Sequence, residues 1–444
     1  MQSATETMDA LRARIESRNA TIGVIGLGYV GLSVAAALAQ AGFRVLGVDV
    51  KADRVSRING GDCPIEGKEP ELPELLASVA RTNLVATTNY ASLAEADIVL
   101  IDVDTPIAAD HRPRFDALRS ACRSLGKVMK PGVLVIVEST IAPGTCDKVV
   151  APLLAQASGR ALNQGFFLGH CPERIMPGRL LENLRQMSRV CGGSTAATSD
   201  AMRALYATIV RAKLTPSDCV TAELVKTAEN AYRDVNIAFA NELGLICEAV
   251  GADFRRVREL VNEAPGRNVL VAGAGVGGHC IPKDPWLLVH GAYGFTPRLI
   301  SSARAVNESM PEHMARLVEE ALDEVGKTVA GSRVTLLGYA YLENSDDTRN
   351  SPTAALASHL ETWGAVVRIH DPWVAAYAGS LDDALAGADA LVIMVAHDAY
   401  KQLELHAVRE QMRSAVLVDG RYVVEALDAR QAGFVFRGLG RGRG

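Results

Sequence analysis

The residues TIGVI (21–25) run directly into Gly26-Leu27-Gly28-Tyr29-Val30-Gly31, and these into the helical pattern LSVAAALAQAG. No other stretch of the chain limits its fold so severely. A short apolar strand, three spaced glycines and a helix make the opening of a βαβ unit in a parallel sheet. The first glycine permits a tight turn, the second lets a phosphate approach the backbone, and the third allows close helix–strand packing. The helix N-terminus then aims unsatisfied N–H groups and the positive end of its dipole at that phosphate. The next strand pattern, VLGVDV, ends near Asp49. A carboxylate there accepts hydrogen bonds from adenosine ribose hydroxyls and repels a 2′-phosphate, so the pattern predicts NAD as cofactor. Gly26, Gly28, Tyr29, Val30, Gly31 and Asp49 are the expected cofactor contacts. Arg54 is a candidate neighbour of the same ribose, although its position suits a solvated arginine equally.

The rest of the first third alternates apolar runs (44–48, 84–87, 98–102, 134–138) with helical segments. Near-continuous apolar runs are expected of parallel strands covered on both faces. A second alternating set begins near residue 333, with strand patterns at 334–337, 366–370, 391–395 and 416–418 and helical patterns around 353–362, 380–387 and 402–412. Between the two sets, 222–250 reads as one helix without proline, roughly 40 Å long. Its apolar residues run most of the way round, which predicts burial on several sides. The expected fold is α/β: two Rossmann-like, doubly wound domains joined by a long central helix. The boundaries read as a leader (1–20, helical or disordered), an NAD-binding domain (21–210), a central helical domain carrying a cysteine loop (211–315) and a second nucleotide-binding-type domain (316–444).

A chain of 444 residues with 48% apolar and 22% charged residues supports more than one globular core. The formal charge of −5 argues against nucleic acid as a partner, which needs a basic face. Only 437–444 (RGLGRGRG) is locally basic, and it reads as a frayed tail. No run approaches the roughly 18–20 apolar residues of a membrane span, and the polar N-terminus lacks the apolar core of a secretory signal. The eight cysteines are scattered without CxxC pairs, which fits reduced thiols in a cytoplasmic protein and predicts no metal site. Cys63, Cys122, Cys146, Cys191, Cys219 and Cys247 read as packing residues, and Cys280 as the exception.

Cys280 lies in GAGVGGHCIPKDPW (273–286). Glycines before a cysteine leave backbone N–H groups free and give a ligand room against the main chain. Lys283 and those N–H groups favour the thiolate, and Asp284 is placed to orient or activate a water beside the sulfur. A lone cysteine is more often packing than chemistry; the glycine run and the Lys-Asp pair reverse that reading. On the long helix, Lys226, Asn230 and Arg233 fall at i, i+4 and i+7 and share a face. A buried lysine there needs a partner or a shifted pKa, and suits an alkoxide or oxyanion. Two loops add polar groups: ESTIAPGT (138–145), after a first-domain strand, and HCPERIMPG (170–178), whose Arg174 suits a phosphate or carboxylate.

GLGYVGL, DTP (104–106), ESTIAPGT, CPERIMPG, AELVKTAENAYRDVNIAFANEL, GVGGHCIPKDP and DDTRNSP (346–352) occur here in order. With these motifs the chain resembles the UDP-glucose/GDP-mannose dehydrogenase family from about residue 20 to residue 425. The resemblance implies a four-electron oxidation of a sugar C6 alcohol with two NAD, through a thioester on Cys280. It implies acid/base or oxyanion work for Lys226, and water and proton handling for Asp284, Glu173 and Thr140. Arg349, Thr105 and Thr140 would line the cofactor, and Arg174, Ile175, Asn230, Arg233, Arg267, Gly277, Tyr341 and Leu342 would meet the substrate. It further implies a homodimer through the long helix, and a C-terminal domain that holds UDP. CPERIMPG, RDVNIAFANEL and DPW resemble most the branch acting on UDP-N-acetylmannosamine. The departures lie on the substrate side: Gly266 follows Pro265 where the family has arginine, with Arg267 one place late, Leu342 replaces a lysine, and Ala272-Gly273-Ala274-Gly275 replaces a proline-containing run. They leave open the same oxidation of UDP-glucose or another nucleotide hexose. Two further readings are a nucleotide-sugar or NAD-binding sensor without turnover, and a two-electron β-hydroxyacid dehydrogenase, which needs no cysteine.

Overall fold

Strands buried on both faces need apolar residues at every position, and the alternation of side chains divides each run between two cores. In the computed structural model, Ile98 and Leu100 enter one core cluster of the first unit while Val99 and Ile101 enter the other. Leu134 and Ile136 are parted from Val133, Val135 and Val137 in the same way. The structure describes residues 4–65, 67, 69–176 and 178–441, in two units: 1–229 with 286–295, and 230–285 with 296–444.

The first unit holds an eight-stranded sheet built from β1 (Thr21–Ile25), β2 (Arg44–Val48), β3 (Leu84–Thr87), β4 (Ile98–Ile101), β5 (Val133–Val137), β6 (Phe166–His170), β7 (Arg189–Gly193) and β8 (Leu214–Asp218). Its order is β3-β2-β1-β4-β5-β6-β7-β8, parallel throughout except for β6 against β7. The order reverses between β1 and β4, which opens a crevice at the carboxyl ends of those strands where ligands of such sheets bind. The second unit has five parallel strands, β9 (Arg333–Leu337), β10 (Val366–His370), β11 (Ala390–Ile393), β12 (Val416–Asp419) and β13 (Val435–Gly438), in the order β10-β9-β11-β12-β13. Both sheets are Rossmann-like. The helix Cys219–Val250 belongs to the first unit as far as Glu229 and to the second from Asn230 on.

Several expectations sharpen or change. Before β1, of the two expected states, residues 4–16 take the helical one, as the helix Ala4–Glu16. Met8, Leu11 and Ile15, at i, i+3 and i+7, are buried in the first unit's core, and Arg14 pairs with Asp97 at 2.5 Å. The tail reading for 437–444 fails as far as Arg441. Arg437 lies in β13 and bonds Glu324, and the Arg441 side chain is 8% exposed over the Tyr422 and Phe436 rings; residues 442–444 lie outside the described residues. The long helix is buried on some sides, at Ala222, Ala231, Ala238, Ala240 and Cys247, and leaves Tyr232, Phe239 and Ile246 more than half exposed on this chain. The helix Arg298–Glu324, which carries Pro311 inside it, crosses the expected boundary at 315/316. Among the described residues no helix is long and apolar enough to cross a membrane, and no cluster of His, Cys, Asp or Glu is suited to a metal ion.

Candidate active site

In the first unit the glycine loop has the geometry that a pyrophosphate requires. Gly26 has φ +91°, and a Cβ there would stand 2.2 Å from the Asp102 carbonyl oxygen. A Cβ on Gly31 would stand 1.9 Å from the Gly26 carbonyl oxygen, so the helix Tyr29–Gln40 reaches the strand only through glycine. Gly28 differs: nothing lies within 4 Å of its missing Cβ, which leaves open space beside the backbone. That helix has no side-chain cap and no acidic residue in its first turn. The N-terminus of such a helix carries the positive end of its dipole and suits an anion, and Tyr29 and Val30 form its first turn. Asp49, just past β2, accepts the Leu27 and Lys51 N–H groups and the Arg54 guanidinium, all at 2.9–3.0 Å. Burial works against its charge, but the two N–H donors and Arg54 hold its carboxyl below the ordinary range. Arg54 is therefore fixed to Asp49 rather than loose on the surface. These residues fit NAD.

Around the same sheet, Thr105 Oγ1 donates to the Thr140 carbonyl at 2.6 Å, tying the loops after β4 and β5 together. In CPERIMPG the Glu173 carboxylate accepts the Ile175 N–H, and Ile175 packs on the core cluster that also holds Ile22 and Val24. The Arg174 guanidinium is taken by the Glu229 carboxylate and by Ser188, so the charge expected to meet a substrate already has a protein partner. Pro177 of this motif lies outside the described residues. Lys226 is 7% exposed, and among the described residues its ammonium has no hydrogen-bond or ion-pair partner. A buried cation left so is costly unless a ligand supplies the negative charge.

The sequence reading passed over a buried group under this site. Glu138 accepts Arg189 (2.9 Å) and the Tyr206 hydroxyl (2.8 Å). Asp102 lies beside it with both carboxylate oxygens buried, its carboxyl pushed well above the usual range by burial and by the Glu138 charge. The available signal was an acid closing each of two apolar runs, IVLID and VLVIVE.

In the second unit, Cys280 is half-buried. Its carbonyl accepts the N–H groups of Lys283 (3.1 Å) and Asp284 (2.8 Å), a turn that delivers Asp284 to the start of the helix Asp284–Gly291. The Asp284 carboxylate is buried, accepts the Asn230 amide at 2.5 Å and lies 3.3 Å from the Lys283 ammonium. Lys283 thus pairs with the carboxylate of the residue that follows it. Two of the preceding glycines lie close against the protein itself. A Cβ on Gly277 would meet Tyr341 Cβ at 2.4 Å, one on Gly278 would meet the Tyr341 ring at 2.9 Å, and the Gly278 N–H is spent on the Arg349 carbonyl at 2.8 Å. They admit the protein's own Tyr341 and the 349–352 segment. Arg349 itself is chelated by Asp347, and both Arg349 and Tyr341 are within electrostatic reach of the Cys280 sulfur.

The remaining expected substrate contacts lie on the surface of this chain. Arg233 is exposed, Leu342 is 53% exposed, and the exposed Arg267 turns back to donate to the Pro265 carbonyl at 3.0 Å. Gly266 has φ +76°, a conformation that disfavours the arginine expected there.

Comparison with known proteins agrees with this layout. Models of the UDP-glucose/GDP-mannose dehydrogenase family match residues 20–210 (NAD binding domain), 220–309 (central domain) and 335–426 (UDP binding domain). The chain is 37% identical over 425 residues to UDP-N-acetyl-D-mannosamine dehydrogenase of Pyrococcus horikoshii, covering 95% of this chain and 99% of that one. A solved structure of UDP-D-ManNAc dehydrogenase from Pyrococcus horikoshii matches with TM-score 0.88 and 36% identity, over 95% of this chain and 99% of that one. An NDP-N-acetyl-D-galactosaminuronic acid dehydrogenase from Methanosarcina mazei also matches with TM-score 0.88 at 36% identity, over 99% and 98% of the two chains.

Proposed function

As the chain belongs to the UDP-glucose/GDP-mannose dehydrogenase family and is an NAD-dependent nucleotide-sugar dehydrogenase, we propose that it oxidises the C6 alcohol of a UDP-N-acetylhexosamine, the manno epimer first, to the uronic acid. The observation that carries the covalent reading is Cys280 on its tight turn, next to the buried Asp284–Asn230–Lys283 group. The Gly26–Gly31 loop and Asp49 would hold NAD, which would supply the hydride acceptor for both oxidations. Lys226 supplies positive charge as the C6 hydroxyl loses its proton and becomes an alkoxide. Loss of hydride from C6 leaves an aldehyde, and the Cys280 thiolate adds to it, forming a C–S bond and a thiohemiacetal. A second hydride leaves the same carbon, giving a thioester. Water oriented by Asp284 attacks the thioester, the C–S bond breaks, and the sulfur takes back a proton. The sum is one alcohol, two NAD and one water to one carboxylate, two NADH and three protons. Glu173 and Thr140 share the proton and water handling, and the second unit holds the UDP.

The names of the relatives in Pyrococcus horikoshii support the manno epimer for this chain. A second reading keeps the chemistry and changes the sugar, to UDP-glucose or another nucleotide hexose. The exposed Leu342 and the backbone at Gly266, where the family has lysine and arginine, motivate it. A panel of UDP-sugars assayed for NADH decides both: the expected yield is two NADH per sugar, and one NADH with free aldehyde would falsify the four-electron sequence. Cys280→Ser should cut uronate formation by at least about 10³-fold while nucleotide-sugar binding persists.

We also propose a homodimer through the long helix. Tyr232, Phe239 and Ile246 recur every seven residues on one stripe and are 73%, 56% and 53% exposed. Such a seam suits a second copy of the same helix. Light scattering should give twice the chain mass, and Phe239→Asp should reduce it to one.

A further inference from the structure

Residues 139–146 form the loop after β5 that carries Thr140. Its near end is tied to the segment after β4: Ser139 Oγ donates to the Val103 carbonyl at 2.7 Å, and Thr105 Oγ1 to the Thr140 carbonyl at 2.6 Å. Its far end is tied elsewhere. Glu223, 1% exposed on the long helix, accepts the Gly144 N–H at Oε2 (2.5 Å) and the Cys146 N–H at Oε1 (2.8 Å). A buried carboxylate is costly, and two charge-assisted bonds to backbone donors are what make it tolerable. An amide in its place would accept one N–H and press its own donor against the other. Glu223 also stands one helical turn before Lys226, at i and i+3. We infer that Glu223 is a positioning residue of the dehydrogenase, fixing the Thr140 loop, through two backbone N–H groups, in register with the helical turn that carries Lys226.

The inference rests on the reading that Thr140 and Lys226 serve the reaction. The groups facing Glu223 are the Cys146 thiol and Asp147 on the loop side, with the Cys219 thiol beside Cys146. Lys148 is engaged 3.0 Å from the Tyr293 ring centroid. Burial pushes the Glu223 carboxyl up, the Cys146 and Gly144 donors hold it down, Asp147 pushes it up again, and the result is about 7. Above that pH the carboxylate accepts both N–H groups. Below it one oxygen carries a proton and the second N–H loses its acceptor, so the clamp loosens as the pH falls through about 7.

Two experiments test this. In the wild-type chain with NAD bound, hydrogen-exchange protection of amides 144 and 146 should rise about tenfold from pH 6 to pH 8 after correction for intrinsic rates. Protection independent of pH would overturn the clamp, and this measurement needs no variant to fold. Glu223→Gln should lower kcat roughly 10–100-fold, leave KM for the nucleotide sugar within about threefold, and lose the limb near pH 7 from the kcat profile. Wild-type kcat with that limb intact in Glu223→Gln overturns the positioning role. If instead Lys226→Ala and Thr140→Ala turn over normally while protection still follows pH, the chemical reading falls and the clamp is only structural.

Discussion

The two Rossmann-like units place the same carboxylate at the same point and use it differently. Asp49 follows β2 and Asp371 follows β10, each directly after the strand that pairs in parallel with the first strand of its unit. Each carboxylate gathers the loop after that first strand and the loop after its own: Leu27 and Lys51 N–H for Asp49, Tyr339, Ala340 and Trp373 N–H for Asp371. The partners differ. Asp49 is paired with Arg54, whose side chain is 24% exposed, whereas Asp371 meets the fully buried His397 at 3.1 Å. The His397 ring accepts the Asn344 N–H at Nδ1, so its Nε2–H faces Asp371. The helices that follow differ as well. Tyr29–Gln40 begins at once with an uncapped N-terminus, while Pro352–Thr362 begins after a long loop with Ser351 accepting its Thr353 and Ala354 N–H groups. The first unit leaves its helix end without a side-chain cap. The second satisfies that end internally and spends the loop on Gly278, two residues before Cys280, through the Arg349 carbonyl and the Asn350 amide. One strand–loop device makes a ligand site when its donors are left over, and a scaffold when they are consumed.

Substitutions can break that comparison or sharpen it. Gly31→Ala puts a Cβ 1.9 Å from the Gly26 carbonyl oxygen; NAD affinity by calorimetry should fall at least about 100-fold, while UDP binding is unchanged. Retention of NAD within threefold would end the claim that the first loop is built for pyrophosphate. Asp371→Asn should cost roughly 3 kcal/mol in urea unfolding of the second unit, because it strips a buried charge from His397 and several N–H donors. Burial raises the Asp371 carboxyl, yet His397 and the N–H donors bring it down to about 2. Since the folded value lies below the unfolded one, the stabilisation is present above about pH 4 and is lost as the pH falls toward about 2. That acid limb should be absent from the variant. Asp49→Asn is the mildest: NAD should bind about tenfold more weakly, NADP should be rejected less strongly, and unfolding should shift by no more than about 1 kcal/mol. Equal stability losses at 49 and 371 would erase the distinction.

Legibility followed local physics. Most of β1 to β5 and β9 to β12 was visible as apolar runs, unbroken in β4 and β5, which are buried at every position, and less pure in the edge strands β3 and β10, where Val85 and Val366 are exposed. β6 to β8 and β13 escaped: FFLGH and RVCGG end in glycine or histidine, and LTPSD is a polar edge strand in which Pro216 is tolerated. The helix Arg298–Glu324 was hidden by its charges and by Pro311. At the site, Cys280, Asp284 and Asn230 could be named from motif and spacing, but not the contact between the last two, which lie 54 residues apart. Nothing local reveals that Arg174 pairs with Glu229, 55 residues on.

The sequence by itself determined the α/β class, the glycine loop with its carboxylate, and the cysteine with its neighbours. Those features depend on strand period, backbone conformation and residues close together in the chain. Only the tertiary structure decided which polar groups are already spent. Gly278, Arg349 and Arg174 turn inward to protein partners, while the Gly28 turn stays open and Lys226 is buried without a partner among the described residues. The reason is that a hydrogen bond or ion pair is satisfied by whatever the fold brings near, and most of these partners lie more than fifty residues away.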